Sequence, residues 1–210
     1  GNFTREETEE LAVILRTASL PIDLEIISLN SIGSSLGAEA INAGLWSIAI
    51  GMALVVLFML VYYQGAGFIA DIALVLNLVL IISILSALRL TLTLTSIAGI
   101  ILTVGMAVDA NVIIFERIRE EYRLGKGPKA SISAGFQKAF WTIIDANITT
   151  FIAAIFLSVL GNGPVAGFAV TLAVGIVSTL VTALFVSRFF FDFSTDLLKP
   201  KRLSIGWGVK

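Results

Sequence analysis

Two residue types are missing from this 210-residue chain altogether: it has no cysteine and no histidine. Without cysteine there is no disulfide framework, no thiol nucleophile and no thiolate metal site. Without histidine the side chain that normally titrates near neutral pH is gone, and Ser-His hydrolysis and imidazole-ligated metals go with it. Any proton chemistry falls to carboxylates, and no metal or cofactor is expected. Charge is scarce as well, at 14% of residues, where a soluble domain carries about 25%. The formal net charge of −1 gives no footing for a nucleic-acid partner.

What the chain has in abundance is apolar sequence. Hydrophobic residues make up 57% of it, and the mean hydropathy is +0.98. Four runs carry no charge: Ala40 to Ala70, Ile72 to Leu88, Leu90 to Val108, and Ala146 to Ser187. A membrane-spanning helix needs roughly 20 apolar residues. The last run is long enough for two, and Gly161-Asn162-Gly163-Pro164 breaks it midway with a strong turn signal. We therefore expect an all-α polytopic membrane protein with spans at about 43–63, 66–88, 93–115, 139–160 and 165–189. The connections are short, so neighbouring helices should be antiparallel. Eleven of the fourteen Lys and Arg residues fall in the 116–138 loop and in the tail from Arg188. By the positive-inside rule that loop and tail are cytoplasmic, and residues 1–40 lie outside.

The first 40 residues are of another kind. Thr4 and Glu7 form a capping box. Leu11, Ile14, Leu15 and Ala18 follow at helical spacing, and Pro21 ends the helix. Residues 22–26, IDLEI, alternate as a half-buried strand does. One helix and one strand cannot bury a core. We expect residues 1–40 to be the end of a truncated α+β extracytoplasmic domain, residues 41–191 the transmembrane bundle and residues 192–210 a cytoplasmic tail. With no initiator Met and no signal peptide, the chain reads as a fragment or a processed product.

Polar residues inside the apolar runs are the candidate site. Asp109 lies seven residues before Glu116, roughly 10 Å inside the boundary. A carboxylate at that depth faces a bundle interior or a water path. It is either a structural group, bonded to another helix or reaching for Arg117, or an acid that loads and releases a proton. Asn111 lies beside it. Asp145 sits at a similar depth in the next span; Thr142, Asp145 and Thr149 share one face, and Asn147 and Thr150 the next. Polar glue between helices and function are equally good readings there. Asp71 reads as an interfacial carboxylate, and Asn77 as a helix-helix hydrogen bonder. Gly167, Thr171, Gly175, Thr179 and Ala183 recur every four residues as a close-packing stripe. Residues 116–138 read as an amphipathic helix followed by a Gly125-Lys126-Gly127-Pro128 turn.

The stretches GMAVDANVIIFERIREE (105–121) and AFWTIIDANITTFIAAI (139–155) resemble the SecD family of bacterial protein-export proteins, which is related to the RND transporters. FTREETEELAVILRTASLPIDLEI (3–26), SIGSSLGAEAINAGL (31–45) and KRLSIG (201–206) resemble it too. The resemblance implies an RND-like bundle holding spans two to six of six. It implies a proton-motive-force-driven accessory role beside the SecYEG channel, after the SecA ATPase, with SecF as companion. YidC is a further candidate partner, and an unfolded preprotein in a lipid membrane is the substrate. The family's key intramembrane aspartate falls on Asp109. Asp145, Asn147, Thr149 and Thr150 match its DANITT segment, and the companion arginine and second aspartate belong to SecF. Other classes remain open. An RND-type small-molecule or lipid exporter would use similar carboxylates, and a non-catalytic translocon scaffold would tolerate loss of Asp109. An intramembrane aspartyl protease fits worst, because neither Asp109 nor Asp145 carries the flanking Tyr or Gly such enzymes need.

Overall fold

The structure, a computed structural model, describes residues 4–18, 34–90, 92–198 and 203–206. It divides into two units, residues 1–36 and 37–210. In the first, α1 (Arg5–Ala18) opens on the expected capping box. Thr4 N donates to Glu7 Oε2 at 2.8 Å, and Glu7 N donates back to Thr4 Oγ1 at 3.4 Å. The Thr4 backbone N–H, and after it the Thr4 hydroxyl donating to Glu7 Oε2 at 2.9 Å, hold the Glu7 carboxyl below the usual carboxylate range. Pro21 and residues 22–26 lie outside the described residues.

In the second unit every regular element among the described residues is a helix. Five helices are long and apolar enough to cross a membrane: Glu39–Tyr63, Gly65–Ala87, Leu94–Arg123, Pro128–Leu160 and Pro164–Leu197. They belong to α2 (Ser34–Tyr63), α3 (Gly65–Ala87), α4 (Leu94–Arg123), α5 (Pro128–Leu160), α6 (Pro164–Val181), a π-helical turn at Thr182–Val186, and α7 (Ser187–Leu198). The helices outrun the apolar runs. α4 has 30 residues, about 45 Å at 1.5 Å per residue, against a hydrocarbon core of about 30 Å. No Gly or Pro interrupts it after Gly105, so its amphipathic end is the same helix as the span and not a separate one. α4 ends at Arg123, Gly125 turns the chain at φ +86°, and helix resumes with Pro128 in the first turn of α5, where its missing N–H costs nothing.

That turn is clasped by charge. Glu121 is 1% exposed, and the ammonium groups of Lys126 and Lys138 converge on its two oxygens, Lys138 at 2.5 Å. Glu121→Gln keeps the size and removes the charge. It should speed amide hydrogen exchange over residues 124–131 relative to wild type. Unchanged exchange would mean the turn holds itself.

The centre of the unit is α4 against α6 and α5. The small stripe on α6 meets α4 directly. A Cβ on Gly175 would lie 2.3 Å from Thr103 Oγ1, and Gly167 faces Thr93 and Ser96. Thr171 packs against Gly99, and Thr179 accepts a hydrogen bond from Asn77 Nδ2 at 3.1 Å. Ala183 is buried. Close approach without steric loss is what small residues supply where lipid gives no hydrophobic drive. At the loop end, Phe115 packs edge-on against Tyr63 and Phe191 at 5.3 and 5.5 Å. Outward residues are large and apolar, among them Leu54, Phe58, Phe156 and Val159, as a lipid-facing surface requires.

Candidate functional site

Asp109 points away from the core. On α4 the buried residues Ala107, Ala110, Ile114 and Ile118 share one side, and Asp109 lies opposite them, exposed, one turn beyond Gly105. A Cβ on Gly105 would meet nothing within 4 Å, so this side of α4 is open. Arg117 does not serve it, being paired with Glu120 at 2.8 Å. Among the described residues Asp109 has no hydrogen-bond or ion-pair partner. On α5, Thr142, Asp145 and Thr149 are likewise exposed, and Thr150 is half-buried. The Thr149 hydroxyl donates only to its own helix, at Ala146 O, 3.3 Å.

The two asparagines turn the other way. Asn111 is 2% exposed; its Nδ2 donates to Ala107 O at 3.2 Å, and its Oδ1 accepts from Ser187 Oγ at 2.8 Å. It ties α4 to the start of α7 and does not share Asp109's surface. Asn147 is buried and donates to Ile143 O at 2.8 Å. Helical periodicity explains the split, since residues two apart on a helix lie about 200° around it. The six candidates therefore form an outward set, Asp109, Asp145, Thr149 and in part Thr150, and an inward pair, Asn111 and Asn147.

Asp71 departs from the interfacial reading. It is 8% exposed, and among the described residues neither carboxylate oxygen has a hydrogen-bond partner. The cause is the tightness of the α2–α3 hairpin. Gly67 comes so close to α2 that a Cβ there would sit 2.0 Å from Met59 O. The first turn of α3 is also covered by residues 203–206, where Ser204 O accepts from Ala66 N at 3.0 Å and Ile205 is 2% exposed. The signal in the sequence was the run of small residues around Asp71: Ala66, Gly67, Ala70 and Ala73. The same contact removes residues 203–206 from a free tail.

Three carboxyl groups thus occupy one layer. Asp71 lies six residues past Gly65, Asp109 seven before Glu116 and Asp145 seven past Lys138, each roughly 10 Å of helix rise from that residue. The Tyr63 hydroxyl donates to Glu116 Oε1 at 3.0 Å, which sets the end of α2 level with Glu116 on α4. Among the described residues no group of three acidic, His or Cys side chains could hold a metal ion.

A family model described as protein export membrane protein SecD/SecF, C-terminal, matches residues 13–194. A protein translocase subunit SecD from Treponema pallidum (strain Nichols) is 54% identical over 209 residues, covering 100% of this chain and 36% of the relative. Its counterpart from Magnetococcus marinus is 52% identical over 203 residues, covering 97% of this chain and 38% of the relative. The crystal structure of SecDF, a translocon-associated membrane protein from Thermus thermophilus, superposes with a TM-score of 0.80 at 41% identity. That match covers 96% of this chain and 28% of the other. The chain spans a little over a third of the length of these curated relatives. The chain belongs to the SecD/SecF family of protein-export membrane proteins.

Proposed function

We propose that this chain is the membrane half of a SecD-type subunit that couples an ion gradient, protons in the first instance, to the late translocation and release of exported proteins. Residues 1–40 belong to an extracytoplasmic domain, residues 41–191 to the bundle and residues 192–210 to the cytoplasmic side. One observation carries the reading: Asp109, exposed and unpartnered on the open side of α4. A bare carboxylate does not face lipid, so another subunit covers this side and supplies what Asp109 lacks. Asp145, Thr142 and Thr149 extend the polar surface that such a partner meets. The partner is a SecF-type subunit, and the pair works beside the SecYEG channel with SecA, with YidC as a further neighbour. No bond in the exported chain is made or broken; the work is a proton moving on and off a carboxylate while the subunits change packing. Ion-gradient-dependent preprotein transport by the assembled translocase, wild type against Asp109→Asn, tests it.

Lys and Arg placement supports the proposed sidedness, with the 116–138 loop and the tail cytoplasmic and residues 1–40 outside. These 210 residues hold no cysteine, so a single cysteine placed in them is the one label site of this region. Asn162 and Gly127 are the suitable positions. Gly125 holds φ +86°, and a Cβ on Gly161 would meet Leu157 O at 2.3 Å, whereas nothing lies within 4 Å of a Cβ on Gly127. With a membrane-impermeant reagent on intact cells, Asn162→Cys should label and Gly127→Cys should label only after permeabilisation. The opposite pattern would reverse the orientation.

A further inference from the structure

The coupling proposed at Asp109 leaves the second carboxyl group of its layer without a task. Asp71 is more than nine-tenths buried, and among the described residues no hydrogen bond or ion pair reaches either of its oxygens. The helices packed against α3 carry titratable or charged groups, but none pairs with it. On α4, Glu116 binds Tyr63 and Arg119, and Asp109 lies on the outward side. On α7, Arg188 approaches Asp192 at 3.7 Å and Asp196 binds Lys129 at 2.8 Å. At the end of α2 the groups are Tyr62 and Tyr63. α6 and the π-helical turn carry none. An ionised carboxylate in such surroundings is strongly disfavoured, so this packing accommodates the neutral acid.

The last span loses its α-helical register beside that layer. The π-helical turn Thr182–Val186 packs against both α3 and α4. Ser187, which follows it, has its hydroxyl 2.8 Å from Asn111 Oδ1 and 3.2 Å from Thr182 O. One end of the turn is thereby fastened to α4 two residues from Asp109, while its side rests on the helix that carries Asp71. π-helical turns inside α-helices are frequent at functional sites.

We propose that Asp71 is a second proton-binding residue of this protein, loaded in the packing seen here and released when the π-helical turn shifts against α3. Loading forms one O–H bond between a carboxylate oxygen and a proton delivered by water. Release breaks that bond, leaves the electron pair on the carboxylate and returns the proton to water. The turn, tied through Ser187 and Asn111 to α4, links the occupancy of Asp71 to the state of Asp109. The proposal rests on the gradient-coupling reading of Asp109, and the test separates the two.

The test is infrared difference spectroscopy on the full-length protein assembled with its companion subunit in lipid nanodiscs, between about pH 5 and pH 9. Wild type minus Asp71→Asn should show a protonated carboxyl C=O band at neutral pH that bleaches as pH rises. Gradient-driven transport by Asp71→Asn should fall by roughly tenfold or more, with partial recovery in Asp71→Glu. Absence of the band throughout the range overturns the proposal, and so does a band that never titrates beside wild-type transport by Asp71→Asn. If Asp71→Asn does not assemble, ¹³C-aspartate labelling of Asp71→Glu against wild type identifies the Asp71 band, because the glutamate that replaces it stays unlabelled. Normal transport by Asp109→Asn would instead remove the coupling reading, whatever the Asp71 band does.

Discussion

Asp109→Asn should abolish gradient-driven preprotein transport while leaving the chain folded and assembled with its companion. Asn has nearly the shape of Asp but cannot take up and release a proton, so the substitution removes chemistry and little else. The fold should not register it. Asp109 is exposed and makes no hydrogen bond or ion pair among the described residues, and substitutions away from buried networks usually stay within about 0.5 kcal/mol. Asp109→Glu should retain part of the activity, because it keeps the acid and moves it by one methylene. The measurement is translocation into vesicles with and without an imposed gradient, with ATP-driven transport as the internal standard. Gradient-driven transport at the wild-type rate in Asp109→Asn would show that the family resemblance carries no coupling role for this residue.

The largest structural effect should come from a single methyl group at Gly67. Its Cβ would lie 2.0 Å from Met59 O, 2.5 Å from Met59 C and 3.1 Å from Leu60 N. All three are backbone atoms of a helix, so no side chain can swing aside. α2 and α3 would have to part, and overpacking of this kind costs typically 1–3 kcal/mol; with rigid backbone on the far side we expect about 3 kcal/mol. Gly51→Ala is the control. Nothing lies within 4 Å of a Cβ there, and replacing a mid-helix glycine by alanine stabilises by roughly 0.5–1 kcal/mol. Denaturation midpoints in detergent should therefore move in opposite directions for the two variants. Equal stability of Gly67→Ala and wild type would mean the hairpin is looser than described. The burial of Asp71 depends on the same close approach, so Gly67→Ala should also let water reach that carboxyl group.

The number of spans was legible without any structure, because hydrophobic length and Gly-Pro punctuation are local properties. Each charge-free run could hold a helix, and Gly161 to Pro164 could only be a turn. The capping box at Thr4 and Glu7 and the bond from Asn77 to the last span follow from equally short-range chemistry or from the scarcity of polar partners in an apolar bundle. The helix ends were less legible. The expected span at 93–115 is the first part of a helix that runs on to Arg123, since a helix ends at a breaker and not at the edge of an apolar run. Helical periodicity alone places Asp109 and Asn111 on different sides, but it cannot say which side is covered. That was decided by contacts between residues far apart in the chain: Ser187 with Asn111, Tyr63 with Glu116, Ser204 with Ala66. Asp71 is the clearest case. Its position near a glycine turn suits an interface, yet the backbone of α2 at Gly67 and the returning residues 203–206 close over it. Burial is a property of what else arrives at a point in space, so the inward or outward setting of each carboxyl group emerged only when the helices packed.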